Sequence, residues 1–246
     1  MIGSTIEIDL ACLRHNFSKV RELVGQSAAV LAVVKSDAYG HGMVPVAREL
    51  EYQGVEYFGV SNCREAVTLR QGGVRSPILL LLGVEEDELD YVIQYSLTPV
   101  IFRSDVAKAI SASAVAAATK IPVHLKIDTG MGRLGVPYVE AESFFELISS
   151  LEGIRVEGIL SHFAAADEHD KSFSKQQLQR FHQVLTLADN IGLTFRYAHI
   201  ANSAGVIDLP DSYLQLVRPG LMLYGGPPSQ ELHHPINLEP VMTLKT

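Results

Sequence analysis

The feature that most constrains this chain is a regular alternation of short apolar runs with longer amphipathic ones. From Ala29 onward eight runs read as strands: Ala29–Lys35, Tyr57–Val60, Ile78–Leu82, Thr98–Ile101, Val123–Ile127, Val156–Leu160, Tyr197–Ile200 and Gln215–Arg218. Their starts recur at roughly 26 residues, close to the repeat of a barrel of eight strand–helix units. Runs such as AVLAVVK are apolar on both alternating faces, as expected of strands covered on both sides. Helical periodicity fills the gaps over Val44–Gln53, Asn62–Gln71, Glu85–Tyr95, Ser104–Ala117, Glu140–Ser150 and Lys175–Ala188. In the last of these Leu178, Phe181, Leu185 and Ala188 share a face. A further helix precedes the first run, with Asp9 as cap, Leu10, Leu13, Phe17, Val20 and Val24 on one face, and Gly25 as stop. The pattern predicts an α/β protein, a closed (β/α)8 TIM barrel; an open doubly wound sheet is the runner-up. Unit sequences do not repeat, which argues against a solenoid.

The two ends fall outside that pattern. Thr5–Asp9 and Leu238–Thr246 read as strands with no place in a barrel. We therefore expect a barrel over 10–235, with 1–9 and 236–246 as fragments of a second β domain, because an orphan strand leaves its edge unpaired. That expectation makes the chain a truncated one.

Charge and hydropathy narrow the partners. The chain has 246 residues, 47% of them hydrophobic, enough for a large core. Its net charge of −8, with no run of Lys or Arg, argues against nucleic acid and against an anionic membrane surface. The longest apolar stretch, Ile78–Val84, is too short to span a bilayer. The N-terminus has no signal-peptide pattern, so a cytoplasmic location is expected. Cys12 and Cys63 form no metal-ligand spacing and read as buried thiols in a reducing compartment.

Active sites of such barrels lie at the C-terminal ends of the strands. Lys35 stands there in VVKSDAYGHG. Desolvation at a strand end frees a lysine amine as a nucleophile toward carbonyls, and Tyr39, Gly40, His41 and Gly42 follow with a phenol and a permissive backbone. After the fifth strand, LKIDTGMGRLG contains G-x-G-x-x-G. It is not a dinucleotide fingerprint, because Val136-Pro137 blocks the helix such a motif opens. A tight loop that turns Arg133 inward is the better reading. Lys126, inside that strand, points outward or makes a buried contact that must be neutralised. His162, Asp167 and His169 lack the spacing of a metal site, so no metal is expected. The junctions at His199–Gly205 and Val217–Leu221 follow strands seven and eight, where barrels of this kind commonly hold phosphate. A lysine-linked, phosphorylated aldehyde fits this set: pyridoxal 5′-phosphate (PLP) first, a phosphosugar in an aldolase as the alternative.

Those motifs, with GILSHFAAAD, HIANSAG and VRPGLMLYG, closely resemble alanine racemases in order and spacing, over essentially the whole chain. The resemblance implies a PLP barrel followed by a C-terminal β domain, a homodimer, and interconversion of L- and D-alanine for peptidoglycan. Lys35 resembles the lysine of the internal aldimine, which is also one of two α-proton bases. Tyr39, Ser203, Gly220 and Leu221 resemble the phosphate-binding set, with Tyr224 beside them. Arg218 resembles the partner of the pyridine nitrogen, and His199 the support of Arg218. Arg133 matches the group near the phenolate oxygen, while Leu82, His162 and Asn202 match residues around the cofactor. Lys126 matches a lysine carbamylated in many members. The family's second base is a tyrosine of the C-terminal domain, and no tyrosine here lies in its motif. The chain is therefore expected to bind PLP weakly and to racemise poorly or not at all. Serine or broad-specificity racemases and single-domain, non-catalytic PLP barrels remain the alternatives.

Overall fold

The computed structural model describes residues 3–245; residues 1, 2 and 246, at the tips of the two expected terminal fragments, lie outside the described residues. Strand β1 (Thr5–Ile8) runs into Asp9, whose carboxylate accepts the Ala11 amide at 2.7 Å and starts α1 (Leu10–Val24). Leu13, Phe17, Val20 and Val24 are buried, the face that the spacing marks. The barrel units follow: β2 (Ala29–Val33), α2 (Lys35–Gly40), α3 (Met43–Tyr52), β3 (Tyr57–Val60), α4 (Cys63–Gln71), β4 (Ile78–Leu80), α5 (Leu89–Gln94), β5 (Thr98–Ile101) and α6 (Ser104–Ala116). The second half contains β6 (Ile121–Asp128), β7 (Val136–Pro137), α7 (Ala141–Ser149), β8 (Ile154–Leu160), α8 (Ser172–Asn190), β9 (Tyr197–His199), α9 (Ser203–Asp208) and β10 (Leu216–Val217).

The parallel order is β10-β2-β3-β4-β5-β6-β8-β9, and β7 is a two-residue addition to β6. Two backbone bonds close the circle: Gln215 N donates to Ala198 O at 3.2 Å, and Arg218 N to Ala201 O at 2.9 Å. The result is the eight-stranded barrel that the spacing implies. Alternate strand residues face opposite ways. Val30, Ala32, Phe58, Val60, Val123 and Leu125 pack outward under the helices. Leu31, Val33, Tyr57, Leu79, Val100 and Leu160 pack inside the barrel.

Several local features differ from the sequence reading, among them β4, which ends at Leu80 rather than Leu82. The first strand stops at Val33 rather than Lys35, because Ser36–Tyr39 adopt left-handed geometry. The pattern over Glu85–Tyr95 splits into a 3₁₀ turn, Glu86–Glu88, closed by a Glu85/Glu88 capping box, and then α5. Cys63 is buried, but Cys12 is only partly so.

The terminal strands pair with each other. Thr5 to Ile8 lie antiparallel to β11 (Met242–Lys245), with Ile6 opposite Leu244, in a ribbon separate from the barrel. These two apolar side chains are 60% and 64% exposed. The approach to β11 is anchored on α1: the Asn16 amide donates to Glu239 O and Leu223 O and accepts from Glu239 N. Among the described residues no helix is long and apolar enough to cross a membrane.

Candidate active site

A cavity of about 270 Å³ opens at the C-terminal ends of the strands. All the predicted site residues line it except His199 and Tyr224, which lie directly behind. Leu81, Asp167, Ala204 and Pro228 also reach its wall.

Lys35 enters from a strained turn. Ser36, Asp37, Ala38 and Tyr39 have φ of 52–55°, and each costs roughly 1–2 kcal/mol in an L-residue. Strain of this kind persists where surrounding contacts over-determine it. Glu65, near the start of α4, accepts Ser36 N at 2.7 Å with one carboxylate oxygen and Ser61 N at 2.7 Å with the other. The Asp37 carboxylate accepts Met43 N at 2.7 Å, and Ala38 N donates to Val34 O. The turn carries Tyr39 across the cavity, where its hydroxyl would lie 2.9 Å from a Cβ on residue 220, so only glycine fits there without displacement. Tyr224 backs Tyr39 at a ring separation of 5.1 Å and donates its hydroxyl to Val33 O at 2.9 Å. Burial raises the pKa of both phenols, so both remain protonated donors.

On the same wall Asn202 caps α9, its side-chain oxygen accepting Gly205 N at 3.0 Å. The Ser203 hydroxyl accepts Gly220 N at 2.9 Å and joins the loops after β9 and β10. The Ser203 and Ala204 amides at the start of α9 have no acceptor within the helix. With the Tyr39 hydroxyl they form an uncharged donor set suited to a phosphoryl dianion.

Arg218 forms the floor. It is 4% exposed, and burial lowers its pKa to about 9, still a cation at neutral pH. It donates to Ser161 O at 2.7 Å, Ile200 O at 3.2 Å, His199 Nδ1 at 2.7 Å and His162 Nδ1 at 3.1 Å. Burial, then repulsion by Arg218, holds both histidines well below the ordinary imidazole range, so both are neutral acceptors. Lys126 points inward and is 6% exposed. Burial first, then Arg218 and Arg133, lowers its amine to about 8. The turn bearing Arg133 is organised by the Asp128 carboxylate, which accepts the amides of Gly130, Met131 and Gly132 at 2.8–2.9 Å. Arg133 then reaches the rim.

Sequence reasoning missed three residues that shape this site through their neighbours. One is Glu65. Gln177 of α8, fully buried, accepts Ala164 N and donates to His162 O and Thr129 Oγ1, bracketing the ends of β6 and β8. His124, two residues before Lys126 on the inward face of β6, meets His199 at 2.8 Å. Its signal was the two-residue alternation that also turns Lys126 inward.

The barrel, with Lys35, Tyr39, Ser203 and Arg218 gathered in one cavity at its strand ends, defines a class: (β/α)8 proteins whose site lies at the C-terminal face of the barrel. Residues 8–228 match the family described as alanine racemase, N-terminal domain, and the chain belongs to that family. It is 52% identical over 246 residues to the alanine racemase of Syntrophobacter fumaroxidans, covering all of this chain and 65% of that one. Against the alanine racemase of Desulforamulus reducens it is 44% identical, covering 97% and 65%. The alanine racemase of Clostridium difficile in complex with cycloserine superposes with a TM-score of 0.95 at 34% identity, covering 99% of this chain and 68% of that one. The Bacillus anthracis alanine racemase with bound L-Ala-P gives 0.91 at 28% identity, covering 98% and 63%. The chain thus spans about 65% of the length of these curated relatives. The family is PLP-dependent.

Proposed function

We propose that this chain is the cofactor-binding barrel of an alanine racemase that supplies D-alanine for peptidoglycan in the cytoplasm. One observation carries the reading: the Lys35 amine, the Tyr39–Ser203–Gly220 cradle and the Arg218 floor share a single cavity.

The residues present fit PLP. The missing Cβ at Gly220 leaves the Tyr39 hydroxyl and the adjacent loops close enough to surround a phosphate. Lys35 would hold the aldehyde carbon, Ser203, Tyr39, Gly220 and Leu221 the phosphate, and Leu82, His162 and Asn202 the ring. When bound, the group supplies an electron-withdrawing ring that acidifies the α-C–H of an amino acid. Arg218 is a donor without acceptor capacity, so toward a ring nitrogen placed beside it Arg218 would present N–H and no proton acceptor. His199 holds it in that direction, and Tyr224 supports Tyr39.

Lys35 Nζ moves the α-proton on one face of the substrate. Racemisation needs a base on each face. The cavity lining offers no second base in the family's motif, so these 246 residues exchange the α-proton without efficient inversion. We further propose that β1 and β11 form part of a second β domain beside the barrel at 10–235, and that the whole protein is a homodimer taking alanine. At Lys126 a neutral amine can add to CO2: a nitrogen–carbon bond forms, one proton leaves to solvent, and the resulting carbamate anion sits near Arg133. Lowering the amine to about 8 makes the required neutral form available.

The test is to incubate the chain with PLP, reduce with borohydride and map the peptides. Label on Lys35, lost in Lys35→Ala, is expected. Exchange of the L-alanine α-hydrogen in D2O should accompany it without accumulation of D-alanine. Labelling elsewhere overturns the assignment of Lys35, and rapid racemisation overturns the one-base reading.

A further inference from the structure

Inside the barrel, beneath the cavity, three side chains form a line that has only one consistent set of protons. Arg218 has donors and no acceptor, so its 2.7 Å contact to His199 Nδ1 requires a bare lone pair on that nitrogen. Burial and the Arg218 charge keep His199 neutral, which places its proton on Nε2. That Nε2 lies 2.8 Å from His124 Nδ1 and donates to it. Burial keeps His124 neutral too, at about 3, so its own proton sits on Nε2. That last nitrogen has no hydrogen-bond partner among the described residues.

The line therefore runs one way, from Arg218 through His199 to His124. We propose that His124 is a positioning residue: it fixes the tautomer and ring plane of His199, and through His199 the direction in which Arg218 presents its guanidinium to the cavity. The consequence for the cofactor rests on the functional reading above; the tautomers do not.

Three further observations support the assignment. His124 and His199 are both 0% exposed, so no water in bulk exchange can replace the acceptor. The ring is wedged in place. A Cβ on Gly158 would lie 2.6 Å from His124 Cε1 and Nδ1, and Tyr57 and Tyr197 flank the ring at 5.7 and 6.3 Å. The β6–β8 register also shifts between Val123 and His124, at the residue whose side chain must reach His199. An apolar side chain could fill the same space without leaving a buried N–H unpartnered. A histidine there is explained by what its other nitrogen accepts.

The experiment uses the 246-residue chain labelled with 15N-histidine. Two-bond nitrogen–proton correlation spectra, assigned by single substitutions, should show both His124 and His199 protonated on Nε2 and bare on Nδ1. His124→Asn places an amide oxygen where Nδ1 accepts and should keep the His199 tautomer and PLP affinity within about 3-fold. His124→Leu removes the acceptor and should weaken PLP binding about 10-fold, with loss of a single His199 tautomer. A His199 protonated on Nδ1, or on both nitrogens, overturns the proposal. So does an Asn variant that, still folded, has lost the His199 tautomer, whether or not the Leu variant folds. Equal PLP affinity in folded Asn and Leu variants overturns it as well. If wild-type chain takes up no PLP at Lys35, the functional reading fails, while the tautomer pair in the free chain still decides this one.

Discussion

Lys126 is the most informative residue to change, because its position opposes its charge. The amine titrates near 10.5 in an unfolded chain and at about 8 in the barrel, where burial and the cations Arg218 and Arg133 disfavour its protonated form. At 1.36 kcal/mol per pH unit, the difference makes the ammonium cost the fold about 3 kcal/mol. The direction follows from the two equilibria. Below pH 8 the lysine is protonated in both states, and the folded state carries the whole penalty. Between pH 8 and 10.5 the folded state gives up its proton first and the penalty shrinks; above 10.5 it is gone. Lys126→Met keeps the length of the side chain and removes the charge. It should stabilise the chain by up to about 3 kcal/mol at pH 7, and by less than about 1 kcal/mol at pH 10. Urea unfolding at both pH values, in CO2-free buffer, measures this. Adding bicarbonate at pH 8 should then stabilise the wild type and leave the variant unchanged, because only a lysine forms a carbamate. A gain of equal size at pH 7 and pH 10, or a loss at pH 7, would refute the electrostatic argument.

Other residues give shorter tests. Ser203→Ala leaves the buried Gly220 N–H without its acceptor; it should lower the urea midpoint by the equivalent of ~1–3 kcal/mol, and titration with PLP should show affinity about 10-fold lower. Gly158→Ala drives a methyl into the His124 ring and should cost ~1–3 kcal/mol, read as a lower urea midpoint; an unchanged midpoint would mean that the ring is free to move. Glu65→Ala leaves the Ser36 and Ser61 amides without their carboxylate. It should destabilise by roughly 1–3 kcal/mol and slow borohydride capture of PLP at Lys35.

The barrel was legible because its strands are covered on both faces. Tyr57–Val60 and Thr98–Ile101 have the predicted ends, and polar Glu56 and Ser61 flank the first of them. The end of the first strand was not legible. Nothing in Ser-Asp-Ala-Tyr marks left-handed backbone, since none of the four is glycine; Gly40 and Gly42 mark only the turn that follows. The cavity residues after strands one, seven and eight could be read from position, since the fold sends strand ends to one face. Glu65 and Gln177 could not. Each acts on groups that the fold brings close, and the chain separates Glu65 from the Ser36 amide by 29 residues and Gln177 from the Thr129 hydroxyl by 48.

Stopping the first strand two residues before Lys35 has a structural consequence. A lysine continued in strand geometry would alternate faces with its neighbours. The left-handed turn instead takes the chain out of the strand and brings Lys35 and Tyr39 to the same cavity, four residues apart. Four such residues together cost roughly 4–8 kcal/mol. The two carboxylate–amide bonds made by Glu65 and Asp37 to this turn, at ~1.5–3 kcal/mol each, offset much of that cost. Burial of Ala38 and the Ala38–Val34 and Gly42–Asp37 backbone bonds add to the balance. Because Glu65 also holds Ser61 at the end of β3, its carboxylate fixes the turn relative to the neighbouring strand rather than merely to itself. The amine is thereby aimed by the barrel wall, and a change at α4 that spares every cavity residue is expected to move it.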